Sequence, residues 1–370
     1  MKKNFSIIYL LFLFLVLHSC NKFPRNSIFQ VSHIKDIECV KIPYNALQIQ
    51  SHVRTNMTLN YFSYYNPNDN TLGLNLDLND RKIIPLQNIT SKKPAVSDFF
   101  VHSIDSIYYF DSDSLNFILF NTFGQIIDKY SIDPKYPPNP TTSNFYAISD
   151  KLYYSWLPAI DLTTRSSRKN AFSQISPIFM LRLDKAINSN NYSVFGVYPN
   201  DYQAGKNFYN FGPDIFIGLE NQIVISFESD HNLYIYENSN LLELKLSKSN
   251  FIDSFIDISD KDFSNLSYCQ IYQGQEPRYK RIILDNFNKR YYRVTKPRID
   301  IMKSDIISLN WSLIIMNENF DIIGEALFPY ADYMPDIIIP SENGIYIKKT
   351  AKSEKETYGN LILSLIKLSK

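Results

Sequence analysis

The sequence contains little glycine and little cysteine for its length. Only 10 of its 370 residues are glycine, so its turns must rely on asparagine, aspartate and serine, whose side chains suit tight backbone geometry. The three cysteines are Cys20, Cys39 and Cys269, and no Cys-x-x-Cys pair occurs. That absence argues against a thiol redox enzyme and against a zinc ribbon. Cys39 and Cys269 could pair in an oxidising compartment, but two buried free thiols are the favoured prediction.

An excess of one charge and the common enzyme motifs are also missing. With 38 basic and 37 acidic residues, the chain lacks the electropositive surface expected of a nucleic-acid-binding protein. The sequence has no Gly-x-Ser-x-Gly elbow, no phosphate-binding glycine loop and no His-Glu-x-x-His motif. Beyond the first 20 residues its histidines are scattered singly, at His33, His52, His102 and His231. We therefore predict neither a metal site nor a cofactor.

Aromatic residues, by contrast, are abundant, with 27 tyrosines and 26 phenylalanines. Many lie in short apolar runs divided by polar turns. The segment Asp105–Tyr130 has three such runs, Ile107–Phe110, Phe117–Phe120 and one that begins at Ile126. This pattern predicts an antiparallel meander, because aromatic and β-branched side chains suit a pleated sheet. A single meander exposes its faces and edges, so it must stack on others.

The meander recurs along the chain. The run FILFNTFGQII from Phe117 matches LIIMNENFDII from Leu313 in length, asparagine turn and closing isoleucines, and LYIYENSNLLEL from Leu233 is a looser copy. About six such units occur at intervals of roughly 40–60 residues, the range of propeller blades. We predict an all-β, six-bladed β-propeller over residues 28–370, in which a weak strand within Ile28–Pro43 completes the last blade. The alternative is a two-sheet β-sandwich, since strand patterns alone do not encode ring closure.

The first 19 residues predict a signal peptide. Two lysines precede the apolar segment Phe5–Leu17, which is too short to span a bilayer comfortably. The segment ends in Leu-His-Ser-Cys20, which is similar to the bacterial lipobox. We predict lipidation of Cys20, cleavage before it, a tether over residues 20–27 and a membrane anchor of several acyl chains. The alternative is an ordinary secretory signal with an incidental cysteine.

Two features are candidates for ligand binding. A hairpin near residues 278–293 carries basic and aromatic residues on two strands, so a cation–π pair could line a pocket or the axial channel. Its alternative role is an edge strand kept soluble by charge. The aromatic loop Tyr198–Phe211 could grip a sugar or a peptide, or could pack onto the ring. The candidate binding residues are Arg278, Asp285, Arg290, Tyr291, Tyr292, Arg293, Tyr202 and His102.

Several phrases of the sequence together resemble one protein family. They are His102–Ile107, Gly196–Pro199, the hairpin Leu284–Arg293 and Asn343–Tyr346. These phrases resemble the DUF4221 family of Bacteroidetes lipoproteins, whose members look like TolB-type six-bladed propellers. The resemblance implies the lipid anchor, the propeller and a place in the cell envelope. It implies no reaction and designates no catalytic residue.

The leading functional prediction is a lipid-anchored binding module of the cell envelope with a protein, peptide or glycan partner. No acidic run follows Cys20, which favours an outer-membrane protein facing the periplasm over display on the cell surface. The rival prediction is an enzyme acting on glycans or peptides through carboxylates at the channel mouth, such as Asp285 or Asp230, with a nearby histidine or arginine. A third is a purely structural partner of another envelope protein, with an apolar patch on one disc face.

Overall fold

The structure is a computed structural model, and it describes residues 26–43, 47–53, 60–66, 69–75, 81–86, 89, 99–103, 105–136, 138, 145–156, 161–183, 192–299, 309–353 and 360–370. The predicted signal peptide and Cys20 lie outside these residues. The described residues form 24 strands and four short helices. The all-β prediction is therefore confirmed.

The strands form four four-stranded antiparallel sheets and one eight-stranded sheet, in which the parallel pairing of β1 (Ile28–Pro43) with β21 (Ile322–Pro329) joins two further four-stranded antiparallel units. We call these six units blades 1 to 6. The N-terminal strand β1 belongs to the last of them. Blade 1 contains β2 (Leu47–Val53), β3 (Asn60–Asn66), β4 (Thr71–Asn75) and β5 (Arg81–Pro85); blade 2 contains β6 (Phe99–Ser103), β7 (Ser106–Asp111), β8 (Asn116–Phe120) and β9 (Ile126–Ser131); blade 3 contains β10 (Phe145–Ile148), β11 (Lys151–Ser155), β12 (Ile178–Arg182) and β13 (Tyr192–Phe195). Blade 4 contains β14 (Asp214–Ile217), β15 (Ile223–Ser226), β16 (Asn232–Glu237) and β17 (Asn240–Leu246); blade 5 contains β18 (Arg278–Asp285), β19 (Arg290–Lys296), β20 (Asn310–Met316) and β21 (Ile322–Pro329); blade 6 contains β22 (Tyr333–Ser341), β23 (Gly344–Lys349) and β24 (Asn360–Ser369) with β1. The helices are α1 (Arg165–Phe172), α2 (Asn200–Gln203), α3 (Asp260–Phe263) and α4 (Leu266–Gln275).

The blades close into a ring. The first strand of each blade contacts the first strands of both neighbouring blades, and β22 of blade 6 contacts β2 of blade 1. A hydrophobic cluster fills each of the six junctions. At the closing junction Tyr64 of blade 1 packs with Ile339 and Leu363 of blade 6. This arrangement is the predicted propeller and not the two-sheet alternative, because each sheet packs on two others.

The ring is locked by a strand from the N-terminal end of the chain, as predicted. β1 pairs antiparallel with β24 from Gln30 to Pro43 and so forms the outermost strand of blade 6. Its first residues, Ile28 and Phe29, pair parallel with β21 of blade 5. The two ends of the described chain are therefore joined in one blade, and β21 has no open edge there.

The repeated sequence phrases correspond to the same hairpin in different blades. The copies starting at Phe117, Leu233 and Leu313 are the third and fourth strands of blades 2, 4 and 5. In the first and third copies an asparagine builds the turn. The carboxamide oxygen of Asn121 accepts two backbone hydrogen bonds, and that of Asn317 accepts two in the same way. This explains how the chain makes its turns with so few glycines.

All four helices lie on one side of the ring. In a four-stranded meander, the connection between strands two and three leaves the same edge as the connection to the next blade. α1 lies between β11 and β12, α2 between β13 and β14, and α3 and α4 between β17 and β18. These connections all leave that shared edge, which we call the helical face. No helix among the described residues is long and apolar enough to cross a membrane.

The two described cysteines are buried and unpaired, as predicted. Cys39 lies in the junction between blades 6 and 1, whereas Cys269 lies in α4. Burial raises the pKa of the Cys39 thiol to about 12. A thiol with so high a pKa forms little thiolate at neutral pH and reacts slowly.

Candidate functional site

A small, shallow polar cleft opens on the helical face between blades 4 and 5. Three segments form it: the loop before β14, the turn between β15 and β16, and the junction from α4 to β18. Its lining residues are Phe208, Tyr209, Asn210, Glu228, Ser229, Tyr272, Gln273, Glu276, Pro277 and Arg278. Two carboxylates, one guanidinium and two phenol rings thus share one opening.

Glu276 is placed in the cleft by the end of α4. The helix begins after Asn265, whose side chain accepts a hydrogen bond from the backbone of Tyr268. It ends where the backbone N–H of Glu276 donates to the carbonyl of Tyr272 at 2.9 Å, and Pro277 follows. Proline cannot continue a helix, so the chain turns there into β18.

The Glu276 carboxylate is buried and incompletely satisfied. Only 6% of the residue is exposed. Its Oε1 lies 3.4 Å from a guanidinium nitrogen of Arg298, but its Oε2 has no hydrogen-bond partner among the described residues. Burial raises the pKa of Glu276 above its usual value, against the lowering effects of the Arg298 charge and of a hydrogen bond from the Ile256 backbone. A buried carboxylate oxygen without a donor is uncommon and calls for one.

Basic groups surround the second carboxylate of the cleft. Glu228 Oε2 lies 3.5 Å from Arg278 Nη1, and Glu228 Oε1 lies 3.1 Å from Lys280 Nζ. Arg278 also donates to the carbonyl of Gln273. Lys296 donates to the same carbonyl, and burial together with the charges of Arg278 and Lys280 lowers its pKa to about 8. The cleft therefore presents both signs of charge within a few ångströms.

Arg281 and Asp336 form a second charged group, on the inner strands β18 and β22 of blades 5 and 6. A register shift between Tyr279 and Ile282 interrupts the pairing of β18 at Arg281, and such bulges re-aim side chains. The Arg281 guanidinium donates to the carbonyl of Asp336 in β22 at 2.6 Å. Burial lowers its pKa, whereas the charges of Asp336 and Asp214 raise it. Asp336 is also paired with Lys348 at 2.8 Å, so these carboxylates act as counter-charges.

The predicted hairpin residues mostly serve the fold. Asp285 is fully buried and accepts hydrogen bonds from the hairpin turn and, at 2.7 Å, from the hydroxyl of Tyr292. Tyr291 stacks on Phe320 with ring centroids 4.3 Å apart. Arg293 is fully buried between blades 4 and 5. Arg290 is the partly exposed partner of Asp285 in the β18–β19 pairing.

Of the eight predicted residues, only Arg278 lines the cleft. Tyr202 lies behind its wall, fully buried, with its ring centroid 5.0 Å from that of Phe208. His102 lies on the inner strand β6, exposed, with its ring centroid 6.5 Å from that of Phe100. Binding by any of the eight remains a prediction. No cluster of acidic, histidine or cysteine residues fit to hold a metal ion lies within the part of the chain that the structure describes.

Sequence reasoning missed Glu228 and Glu276. Glu276 could have been noticed, because Glu-Pro directly precedes the basic strand Arg278–Arg281. Glu228 follows the apolar strand β15 and gives no signal of its own. The two meet only because blades 4 and 5 are neighbours on the helical face.

The family model of DUF4221, a domain of unknown function, matches residues 93–327, more than half of the chain. The chain belongs to the DUF4221 family. A crystal structure of a DUF4221 member from Bacteroides vulgatus matches with a TM-score of 0.71 at 14% identity, covering 94% of this chain and 100% of that one. A Bacteroides fragilis protein whose export is proposed matches with a TM-score of 0.51 at 12% identity, covering 94% of this chain and 98% of that one. No curated protein sequence matches the chain.

Proposed function

We propose that this DUF4221 protein is a lipid-anchored binding module of the cell envelope, and that it holds a protein, peptide or glycan partner at the cleft of the helical face. In this proposal the leader over residues 1–19 is removed and Cys20 carries the lipid. The tether then connects the ring to the outer membrane on its periplasmic side. The proposed export of a similar Bacteroides fragilis protein supports the envelope location. A TolB-type relationship of the ring remains a prediction.

The observation that carries the binding proposal is the unpartnered Oε2 of Glu276. Buried polar atoms in folded proteins are nearly always hydrogen-bonded. The oxygen is covered in the free protein, so a partner with an N–H or O–H donor would satisfy it once the Glu276 side chain turns into the cleft, and the partner's acceptors could reach Arg278. Tyr209 and Tyr272 add phenol rings to the lining, which suits peptide and sugar groups.

The test of the cleft is capture of a partner from envelope extracts by the wild type and by Glu276→Gln and Arg278→Ala. Burial opposes the charge of Glu276, so we expect the fold to tolerate a neutral glutamine at this position. A variant that folds but no longer captures the partner would then have lost the binding contact itself. We expect a loss of roughly 10- to 150-fold for each variant, since a charge-assisted hydrogen bond contributes about 1.5–3 kcal/mol. The control is Glu237→Gln, an exposed residue of β16. Identical partners for all four proteins would remove the cleft as the binding site.

The anchor has a separate test. A palmitate analogue supplied to growing cells should label the wild type and not Cys20→Ala. Equal labelling of the two proteins would end the anchor proposal and leave the cleft proposal standing.

One observation favours the rival function, an enzyme acting on glycans or peptides. Glu228 and Glu276 line the same cleft, and the raised pKa of Glu276 suits a general acid. A binding module captures its partner without converting it. Product formation that Glu276→Gln abolishes, while partner capture persists, would replace binding by catalysis.

A further inference from the structure

The outer strand of blade 4 exposes an unusual row of leucines. Leu241, Leu242, Leu244 and Leu246 of β17 are 44%, 60%, 52% and 43% exposed. Among the residues whose exposure is described, no other strand carries more than two large apolar side chains with such exposure. β17 pairs with β16 on one side, and a register shift leaves Leu242 without a partner residue. We call these four leucines the leucine rim.

Charges on the same strand are neutralised. Lys245 Nζ lies 3.1 Å from Glu243 and 2.9 Å from Asp321. Lys245 therefore compensates Glu243 on the strand itself, and Asp321, in the turn between β20 and β21, leaves one net negative charge beside the rim. An exposed apolar edge of this kind marks an interaction site in a soluble domain.

The start of the described chain is fixed beside this rim. The backbone N–H of Asn26 donates to the side chain of Asn250 at 2.7 Å, and the Asn250 carboxamide donates back to the Asn26 carbonyl at 2.9 Å. The Asn26 side chain also donates to the carbonyl of Lys248 at 2.9 Å. Lys248 and Asn250 lie two and four residues after the end of β17. The tether thus leaves the ring at the end of the leucine strand.

Chain length decides what covers the rim. Cys20 lies six residues before Asn26, and six extended residues reach at most about 20 Å. A lipid on Cys20 holds the bilayer surface within that distance of β17. We propose that the leucine rim docks into the lipid surface and sets the ring edge-on to the membrane, which leaves the helical face open to partners. This rests on the proposed anchor at Cys20.

The test measures the depth of single positions in vesicles. Leu244→Cys and Ile127→Cys are each labelled with an environment-sensitive fluorophore, and quenching by nitroxide phospholipids is recorded. Ile127 is the matched control, because it is 54% exposed on β9, the outer strand of blade 2. Cys39 and Cys269 are buried, so the label is selective for the new thiol.

The protein is attached to the membrane in two ways, so that a failure of the lipid-anchor proposal can be told apart from a failure of the docking proposal. One arm uses the full lipoprotein isolated from membranes, and the other uses the chain from Asn21 behind six histidines on vesicles with a nickel-chelating lipid. In both arms we expect several-fold stronger quenching at Leu244 than at Ile127, and its loss when Leu241 and Leu242 are replaced by serine. Equal quenching at both positions in the histidine arm overturns the docking proposal whatever happens to Cys20. If the fluorophore at position 244 becomes shielded from water as the protein concentration rises, with or without lipid, the rim contacts a second copy of the protein and the docking proposal is overturned.

Discussion

The guanidinium of Arg293 holds parts of two blades together. It is fully buried, although it belongs to the predicted binding hairpin. The guanidinium lies over the aromatic ring of Tyr279, with its carbon 3.6 Å from the ring centroid. Burial lowers the pKa of Arg293 to about 10. Its acceptors are the carbonyls of His231, Ser247, Phe227 and Asp230 and the hydroxyl of Ser226, at 2.8–3.3 Å.

Replacing Arg293 should therefore damage folding. Arg293→Ala removes all five of these buried hydrogen bonds, and only the carbonyls of His231 and Phe227 keep a backbone donor. We expect a loss of about 3–5 kcal/mol in the free energy of unfolding. Urea denaturation measures this loss. Arg182→Ala, at an exposed position of β12, should stay within about 0.5 kcal/mol of the wild type. A loss below about 1 kcal/mol for Arg293→Ala would contradict the role given to this residue.

His231 beside this cluster predicts a pH dependence. Its Nδ1 lies 2.7 Å from the hydroxyl of Tyr279. Burial, with the charges of Lys248 and Arg293, lowers its pKa from 6.5 to about 4. The unfolded chain then binds a proton before the folded one does, so this contribution to stability is complete above pH 6.5 and is lost as the pH falls towards 4.

The wild type should accordingly lose more stability between pH 7 and pH 4 than His231→Gln does. The difference should be on the order of 2 kcal/mol, less than the full shift implies because the ring is partly exposed to solvent. Urea midpoints at both pH values give the comparison. His102→Gln, at an exposed position, should follow the wild type, and parallel curves for all three proteins would refute the prediction.

At the scale of elements, the turn between β20 and β21 shows how the chain manages without glycine. Asn317 Oδ1 accepts from the backbone of Asn319 at 3.0 Å and of Asp321 at 2.9 Å. This turn places Phe320 at a φ of +62°, a conformation that favours glycine. The buried stack on Tyr291 offsets that strain. Blade 2 has Gly124 at the matching position, with a φ of +72°.

Asn317→Ala should cost about 1–2 kcal/mol, because two backbone donors lose their acceptor while Phe320 keeps its strained conformation. The change is measured as a shift of the urea midpoint. Asn319→Ala in the same turn is the control, since Asn319 is exposed. Equal midpoints for the two variants would show that the asparagine side chain does not hold the turn.

For the whole molecule, closure of the ring depends on β1. Phe29 is 5% exposed and belongs to the cluster between blades 5 and 6. A Cβ at Gly324 would lie 2.2 Å from the Phe29 ring, so glycine is needed in β21 for β1 to approach. β1 thus joins the last two blades as well as completing one of them.

Phe29→Ala should lower the free energy of unfolding by about 3–5 kcal/mol, as expected for a buried aromatic side chain. Ile34→Ala, 48% exposed on the same strand, should change it by less than about 0.5 kcal/mol. Thermal unfolding of both variants measures the difference. If Phe29→Ala unfolds like the wild type, β1 does not hold the ring closed.

Much of the fold was predictable because its signals are local. The segment Asp105–Tyr130 became β7, β8 and β9, and the matched phrases became equivalent hairpins. The role of Ile28–Pro43 was also predictable, since a propeller needs its ends joined. The helices α1 and α4 were not predicted, because both are short and held mainly by caps and by contacts with neighbouring blades.

The sequence by itself determined the strand-rich class, the repeating hairpins and the family, since each depends on residues close together in the chain. The segment similar to a lipobox is equally local, and the anchor that it indicates stays a prediction. Only the tertiary structure decided which hairpin side chains face solvent. Alternation along β18 and β19 assigns residues to two faces, but neighbouring blades decide that Arg293 is buried and that Arg278 reaches the cleft. Glu228 and Glu276 became a candidate site for the same reason, because packing between blades and not sequence distance brings them together.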